Sequence, residues 1–362
     1  MSQPQPPYPG PQPGWNAPPP GWTPQPLDSR RLPTHLQPAL PVEERDYYAF
    51  WRAPRYRWWK GLLAVALAGL AFVVASTVLS LVGWGIDGVD WSVIAAGELP
   101  PTGPGFFLAN NLALALCIPF SGLAAWLCVQ QRPKWLSSVD GGIRWRWLVT
   151  VTLIALVLWS VVMGLSLFFT PLDDVGIRDH TLVMIVGILL TTPLQAAGEE
   201  YLLRGLLGRA IGSWFRAPVV GFAAQSVITA AVFMAMHGAG DPWLNLFYVV
   251  FAIAGSWVTW RTGGLEAAIA LHVANNLTAT AFLPFIDFSD LFNREAGVGD
   301  PSILINVALL IAGVGVVEWL VRRRPLVVRS APGRAALDAL AAPVPGPVPG
   351  SGQPPTEPLP RW

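Results

Sequence analysis

The sequence predicts an all-α polytopic membrane protein of about eight transmembrane helices with disordered, proline-rich tails at either end. Three observations carry that prediction. Apolar residues make up 53% of the 362-residue chain and charged residues 12%, about half the charged share of an ordinary soluble protein. The charges cluster between long apolar runs rather than alternating with them. Each run is near the ~20 residues needed to cross a bilayer as a helix.

Taken in order, residues 1–45 repeat short units such as Pro13-Gly14-Trp15 and Pro20-Gly21-Trp22, a composition that favours extended or disordered chain over a packed core. No cleavable signal is visible before the first apolar run, which begins after Lys60, so that run is expected to be a retained span. A transmembrane domain is expected over 46–325, with spans at about 61–84, 105–129, 147–170, 181–204, 218–237, 243–260, 264–283 and 302–321. The segment 326–362 is again rich in proline and is expected to be a second disordered tail. Cys117 and Cys128 share one apolar helix and, eleven residues apart, sit roughly 16 Å from each other, too far for a disulfide.

Charge alternates from loop to loop. Arg52, Arg55, Arg57 and Lys60 precede the first span, and the following loop carries Asp87, Asp90 and Glu98 without Lys or Arg. Arg132, Lys134, Arg144 and Arg146 follow the second span, and Arg322, Arg323 and Arg324 follow the last. The positive-inside rule then places the N- and C-termini in the cytoplasm of a plasma-membrane protein. Trp51, Trp58, Trp59, Trp145 and Trp147 fall at the cytoplasmic boundaries, where amphipathic rings act as interface anchors. A net charge of +1 is silent on nucleic acid, and no basic arm or aromatic-interleaved patch suggests it as a partner; the bilayer is the partner expected.

Several side chains are out of place in lipid. Glu199 and Glu200 lie in the fourth span, His237 ends the fifth, and His272 and Asn276 lie in the seventh. An ionisable group at mid-bilayer costs at least ~2.5–3.5 kcal/mol on insertion scales, and two like charges at close range disfavour joint ionisation. Helical spacing separates their uses. Glu200 and Arg204 form an i,i+4 pair in the favourable order of acid before base, while Glu199 is rotated by ~100° and left to face a cavity. His272 and Asn276 are also one turn apart and share a face. Phe233 and His237 have the same relation.

These groups have a chemical use. Glu199 and His237 can activate water, and His272 and Asn276 can donate hydrogen bonds to a tetrahedral oxyanion. A second arrangement uses Glu199, His237 and His272 as three ligands of a catalytic zinc; the chain has no His-Glu-x-x-His segment for a conventional zincin helix. Asn275 and Asn110 are read as interhelical glue, and Glu266 as a solvated acid at a helix start.

The residues Glu199-Glu200-x-x-x-Arg204, Phe233-x-x-x-His237 and His272-x-x-x-Asn276, in that order, resemble the three motifs of the CPBP intramembrane proteases, also called the Abi or type II CAAX prenyl endopeptidase-like family. The match covers about residues 185–285. It implies an intramembrane endopeptidase, a hydrolase acting on a membrane-associated peptide or protein, with Glu199 and His237 activating water and His272 and Asn276 stabilising the oxyanion. The family also implies an alternative, a non-catalytic scaffold or bacteriocin-immunity role on the same fold. The Ala/Pro/Arg-rich tails look bacterial, which speaks against a prenylated substrate. A proton-coupled transporter is a third reading, disfavoured because no internal repeat is found. One geometric demand follows. Straight helices would set Glu199 and His237 at different depths, so the fourth span is expected to exceed roughly 24 residues, ~36 Å, with Glu199 at intermediate depth.

Overall fold

The computed structural model describes residues 28–341 except 30, 99, 169–173, 290 and 292–293. Among the described residues there is no β-strand, and the long elements are all helices. Seven are long and apolar enough to cross a membrane: α1 (Trp58–Ile86), α2 (Pro104–Val129), α3 (Trp145–Ser166), α4 (Thr181–Gly212), α5 (Pro218–His237), α6 (Pro242–Thr262) and α8 (Ile303–Arg323). The chain is a multi-pass membrane protein.

The eighth expected span differs. Residues 264–283 contain α7, Glu266–Ala279, only 14 residues long, or ~21 Å. Glu266 through Ala274 are buried without a break, because α7 packs against α3, α4 and α6. A helix enclosed by protein on every side needs neither the length nor the outward apolar face of a lipid-contacting span. By contrast α1, with 29 residues, buries only Gly61, Ala64, Ala68 and Gly83.

The connections sort into two ends. At one, Arg45 and Ser330 exchange backbone hydrogen bonds of 3.1 and 3.2 Å, and Ser138 pairs with Gly264. At the other, the Asp87 carboxylate accepts from the Gly105 and Phe106 N–H groups at 2.7 and 2.8 Å. There too Thr102 donates to the Ser289 carbonyl and Gly240 to the Arg294 carbonyl. The segment 265–284 links these ends, since the Leu265 N–H donates to the Ser137 carbonyl and Thr181 Oγ1 donates to the Pro284 carbonyl. The chain therefore makes an even number of passages, and the segments around 45 and 330 lie together.

The tail boundaries and two anchors need correction. Tyr47, Tyr48, Phe50 and Trp51 are all buried to 1% exposure or less. The Arg209 guanidinium stacks 3.9 Å from the Tyr47 ring and 4.9 Å from the Phe50 ring, and Tyr48 lies against α4 at Gly208 and Gly212. This aromatic plug fills the first end of the bundle. It draws in parts of both expected tails: Gln131 Nε2 donates to the Ala39 carbonyl at 2.9 Å, and the Gly333 N–H, just ahead of helix α9 (Arg334–Ala341), donates to the Pro41 carbonyl at 2.8 Å. The expectation of disorder over 1–27 and 342–362 lies outside the described residues. Trp51 and Trp147 are core residues, not interface anchors, whereas Trp58, Trp59 and Trp145 are exposed.

Candidate active site

The long fourth helix answers the depth demand. α4 runs from Thr181 to Gly212, 32 residues, or ~48 Å, and Glu199 stands ~27 Å from its start. Pro193 lies inside it, and a π-helical turn over Tyr201–Leu207 follows directly on the glutamates; such wide turns re-aim side chains and recur at functional sites. A Cβ at Gly198 would overlap the Leu114 carbonyl, so this glycine lets α2 pass against α4 one residue before the site.

Glu199, His237, His272 and Asn276 all line one cleft of ≈ 1250 Å³. Glu199, 8% exposed, faces it. Its Oε1 accepts a hydrogen bond from Gln195 Nε2, one turn earlier, and its Oε2 lies 3.9 Å from His272 Nε2. Gln195 Oε1 in turn accepts from Asn276 Nδ2 at 3.0 Å, and Asn276 Oδ1 accepts from Asn275 Nδ2 at 3.0 Å. A continuous polar chain thus joins α4 to α7.

Glu200 turns the other way and is fully buried. Its Oε1 accepts from Arg204 Nη1 at 3.0 Å and from His272 Nδ1 at 2.8 Å. The Arg204 guanidinium lies over the Phe233 ring at 5.1 Å. With Nδ1 donating to a carboxylate, the His272 ring is fixed with Nε2 toward Glu199, the way orienting acids hold a working imidazole.

His237 is the last residue of α5, which ends on the left-handed Gly238 (φ 60°). Its Nδ1 donates to the Phe233 carbonyl at 2.7 Å, leaving Nε2 as the acceptor of the neutral ring. The imidazole stacks on Tyr248 with centroids 4.0 Å apart, and Arg294 Nη1 donates to its backbone carbonyl at 2.8 Å.

Three sequence readings change here. Gln195 was not singled out, although its place one turn before Glu199 on the same face was a readable signal. Of the neighbouring pair on α2, the asparagine that bonds across helices is Asn111, not Asn110: Asn111 Nδ2 reaches Thr191 and Thr192 Oγ1 at 3.0 and 3.2 Å, while Asn110 and Asn275 line the cleft. Glu266 is buried, not solvated, and binds Arg144 Nη2 at 2.6 Å across to the start of α3. Among the described residues no group of three or more His, Cys, Asp or Glu side chains is placed to hold a metal ion.

Residues 179–278 match the family model described as Type II CAAX prenyl endopeptidase Rce1-like. That segment contains every cleft residue of the three motifs and the Glu200–Arg204 pair, and the family resemblance read from those motifs is borne out. The class supported is a CAAX-protease-like membrane hydrolase. Among curated proteins, the chain is similar to the uncharacterized protein YyaK of Bacillus subtilis (strain 168), 24% identical over 213 residues, covering 54% of this chain and 70% of the relative. No solved structure matches the chain.

Proposed function

We propose that the cleft hydrolyses a peptide bond of a membrane-associated peptide or protein by direct attack of water. The observation that carries this is the 3.9 Å gap between Glu199 Oε2 and His272 Nε2. Two hydrogen bonds of ~2.8–2.9 Å can close over that gap, so one water can bond to both atoms. Glu199 takes a proton from this water, and His237 Nε2 accepts the water's second hydrogen bond. The hydroxide attacks the carbonyl carbon. Asn276 Nδ2 donates one hydrogen to the resulting oxyanion. His272 donates the other from Nε2, which carries a hydrogen when both ring nitrogens are protonated. Glu199 then passes its proton to the departing amine nitrogen, and acid and amine products leave.

Phe233 and Arg204 support the site from beneath. The setting is a bacterial plasma membrane, with the charge pattern of the loops favouring cytoplasmic termini. Replacing Glu199 with Ala tests hydrolysis against scaffolding: the processing phenotype should disappear while membrane insertion and protein level stay unchanged. A function that survives in that variant assigns the fold to a binding role. Chelation tests the zinc alternative. Processing that persists after metal removal supports the side-chain mechanism, and loss restored by zinc would assign Glu199, His237 and His272 as ligands.

A further inference from the structure

At the end that holds Asp87, Asp90 and Glu98, the cleft is lined by residues of the connections, among them Pro100, Thr102, Gly238, Gly240 and Ser289. Toward the opposite end the lining stops at Glu199, Leu203 and Phe233, and the fully buried Glu200–Arg204 pair is packed behind them. Beyond that pair stands the aromatic plug around Arg209, each ring buried to 1% exposure or less. The paired segments around residues 45 and 330 lie at that end. Lysines and arginines also gather there, the sign of a cytoplasmic face. A peptide therefore has a route to Glu199 from the face opposite the chain's own ends.

We propose that the site works on the extracytoplasmic face, cutting an extended segment of a membrane-anchored or exported polypeptide and not the tail of a cytoplasmic protein. This rests on the hydrolase reading for the cutting, but not for the access. Phe72, Phe106, Met236, Phe247 and Phe251 on the cleft walls suit apolar side chains beside the scissile bond. A substrate entering there meets wall before it meets lipid, so its backbone stays hydrated or bonded until it reaches Glu199.

Single cysteines in full-length protein, with the buried Cys117 and Cys128 changed to Ala, test it through a membrane-impermeant thiol reagent. Ala279→Cys reports the cleft, since Ala279 is exposed there. Ala96→Cys and Arg132→Cys, exposed in the loops of the two ends, report the faces. In intact cells Ala279→Cys and Ala96→Cys should be modified and Arg132→Cys spared, with the pattern reversed in inverted vesicles. Modification of Ala279→Cys only together with Arg132→Cys would overturn the access route. Modification of Ala279→Cys and Ala96→Cys only in inverted vesicles would overturn the assignment of the face. No modification of Ala279→Cys from either side, with full reaction after denaturation, would also overturn the proposal. None of these readings needs catalysis, so they fail separately from the loss-of-processing test on Glu199.

Discussion

Glu199 and Glu200 are neighbours in sequence and occupy opposite environments. The cleft face of α4 presents Gln195 and Glu199, linked one turn apart and continued to Asn276 on α7. The packed face presents Glu200 and Arg204, also one turn apart and closed over by His272 and Phe233. Gly198 supplies a third face, pressed on the α2 backbone. Rotation of ~100° per residue gives three consecutive residues three settings: backbone contact, cleft wall and ion pair. Only the carboxylate on the cleft face borders the cleft. The one on the packed face holds the His272 ring.

That contrast can be broken at each position. The largest effect is expected for Glu199→Gln, which keeps the shape but removes the base. Hydrolysis should fall by roughly 10²–10⁴-fold, with the melting temperature in detergent unchanged. Arg204→Met should do the reverse, leaving Glu200 as an uncompensated buried charge. A loss of ~3–5 kcal/mol is expected for breaking such a pair, seen as lower yield and earlier thermal unfolding. Adding Glu200→Gln to it should recover part of the stability but little of the activity, because His272 loses its carboxylate. Asn276→Ala should lower kcat by about 10²–10³, the usual scale for an oxyanion donor, and leave KM nearly unchanged.

Smaller effects sharpen the same division. Gln195→Leu removes two hydrogen bonds worth ~0.5–1.5 kcal/mol each but leaves the ion pair intact. Turnover should fall by about tenfold, with expression maintained and the loss concentrated in kcat. Smallest is the acid response at the cleft mouth. Asp241 caps α6 through the Trp243 and Leu244 N–H groups and holds the Gly297 N–H. Burial pushes its carboxyl up, but the backbone donors outweigh that and hold it below the ordinary range. A depressed folded value means stability that is present above the unfolded carboxyl range and lost as pH falls through the folded one. Thermal scans from neutral pH down into that range should show a smaller decline for Asp241→Asn than for the wild-type protein.

Much of this was legible because hydropathy and helical spacing are local. The apolar runs gave seven of the helices that cross, and i,i+4 spacing separated Glu199 from Glu200 before any contact was known. Features made by distant parts of the chain were not legible. α7 looked like an ordinary span because its alanines read as apolar, and only its neighbours show that it is wrapped in protein. Glu266 looked solvated because its partner, Arg144, lies 122 residues away. The plug of Tyr47, Tyr48, Phe50 and Trp51 was not legible because its partners Gly208, Arg209 and Gly212 lie far along the chain on α4. Asn110 and Asn111 cannot be told apart until the rotation of α2 against α4 is fixed.

The most direct test compares N-terminal peptides from membranes of cells making equal amounts of wild-type or Glu199→Gln protein. If Glu199 activates the water, a defined set of new N-termini should be present with the wild-type protein and absent with the variant, with uncut precursors accumulating in their place. The same N-termini at the same abundance in both membranes would contradict a catalytic Glu199.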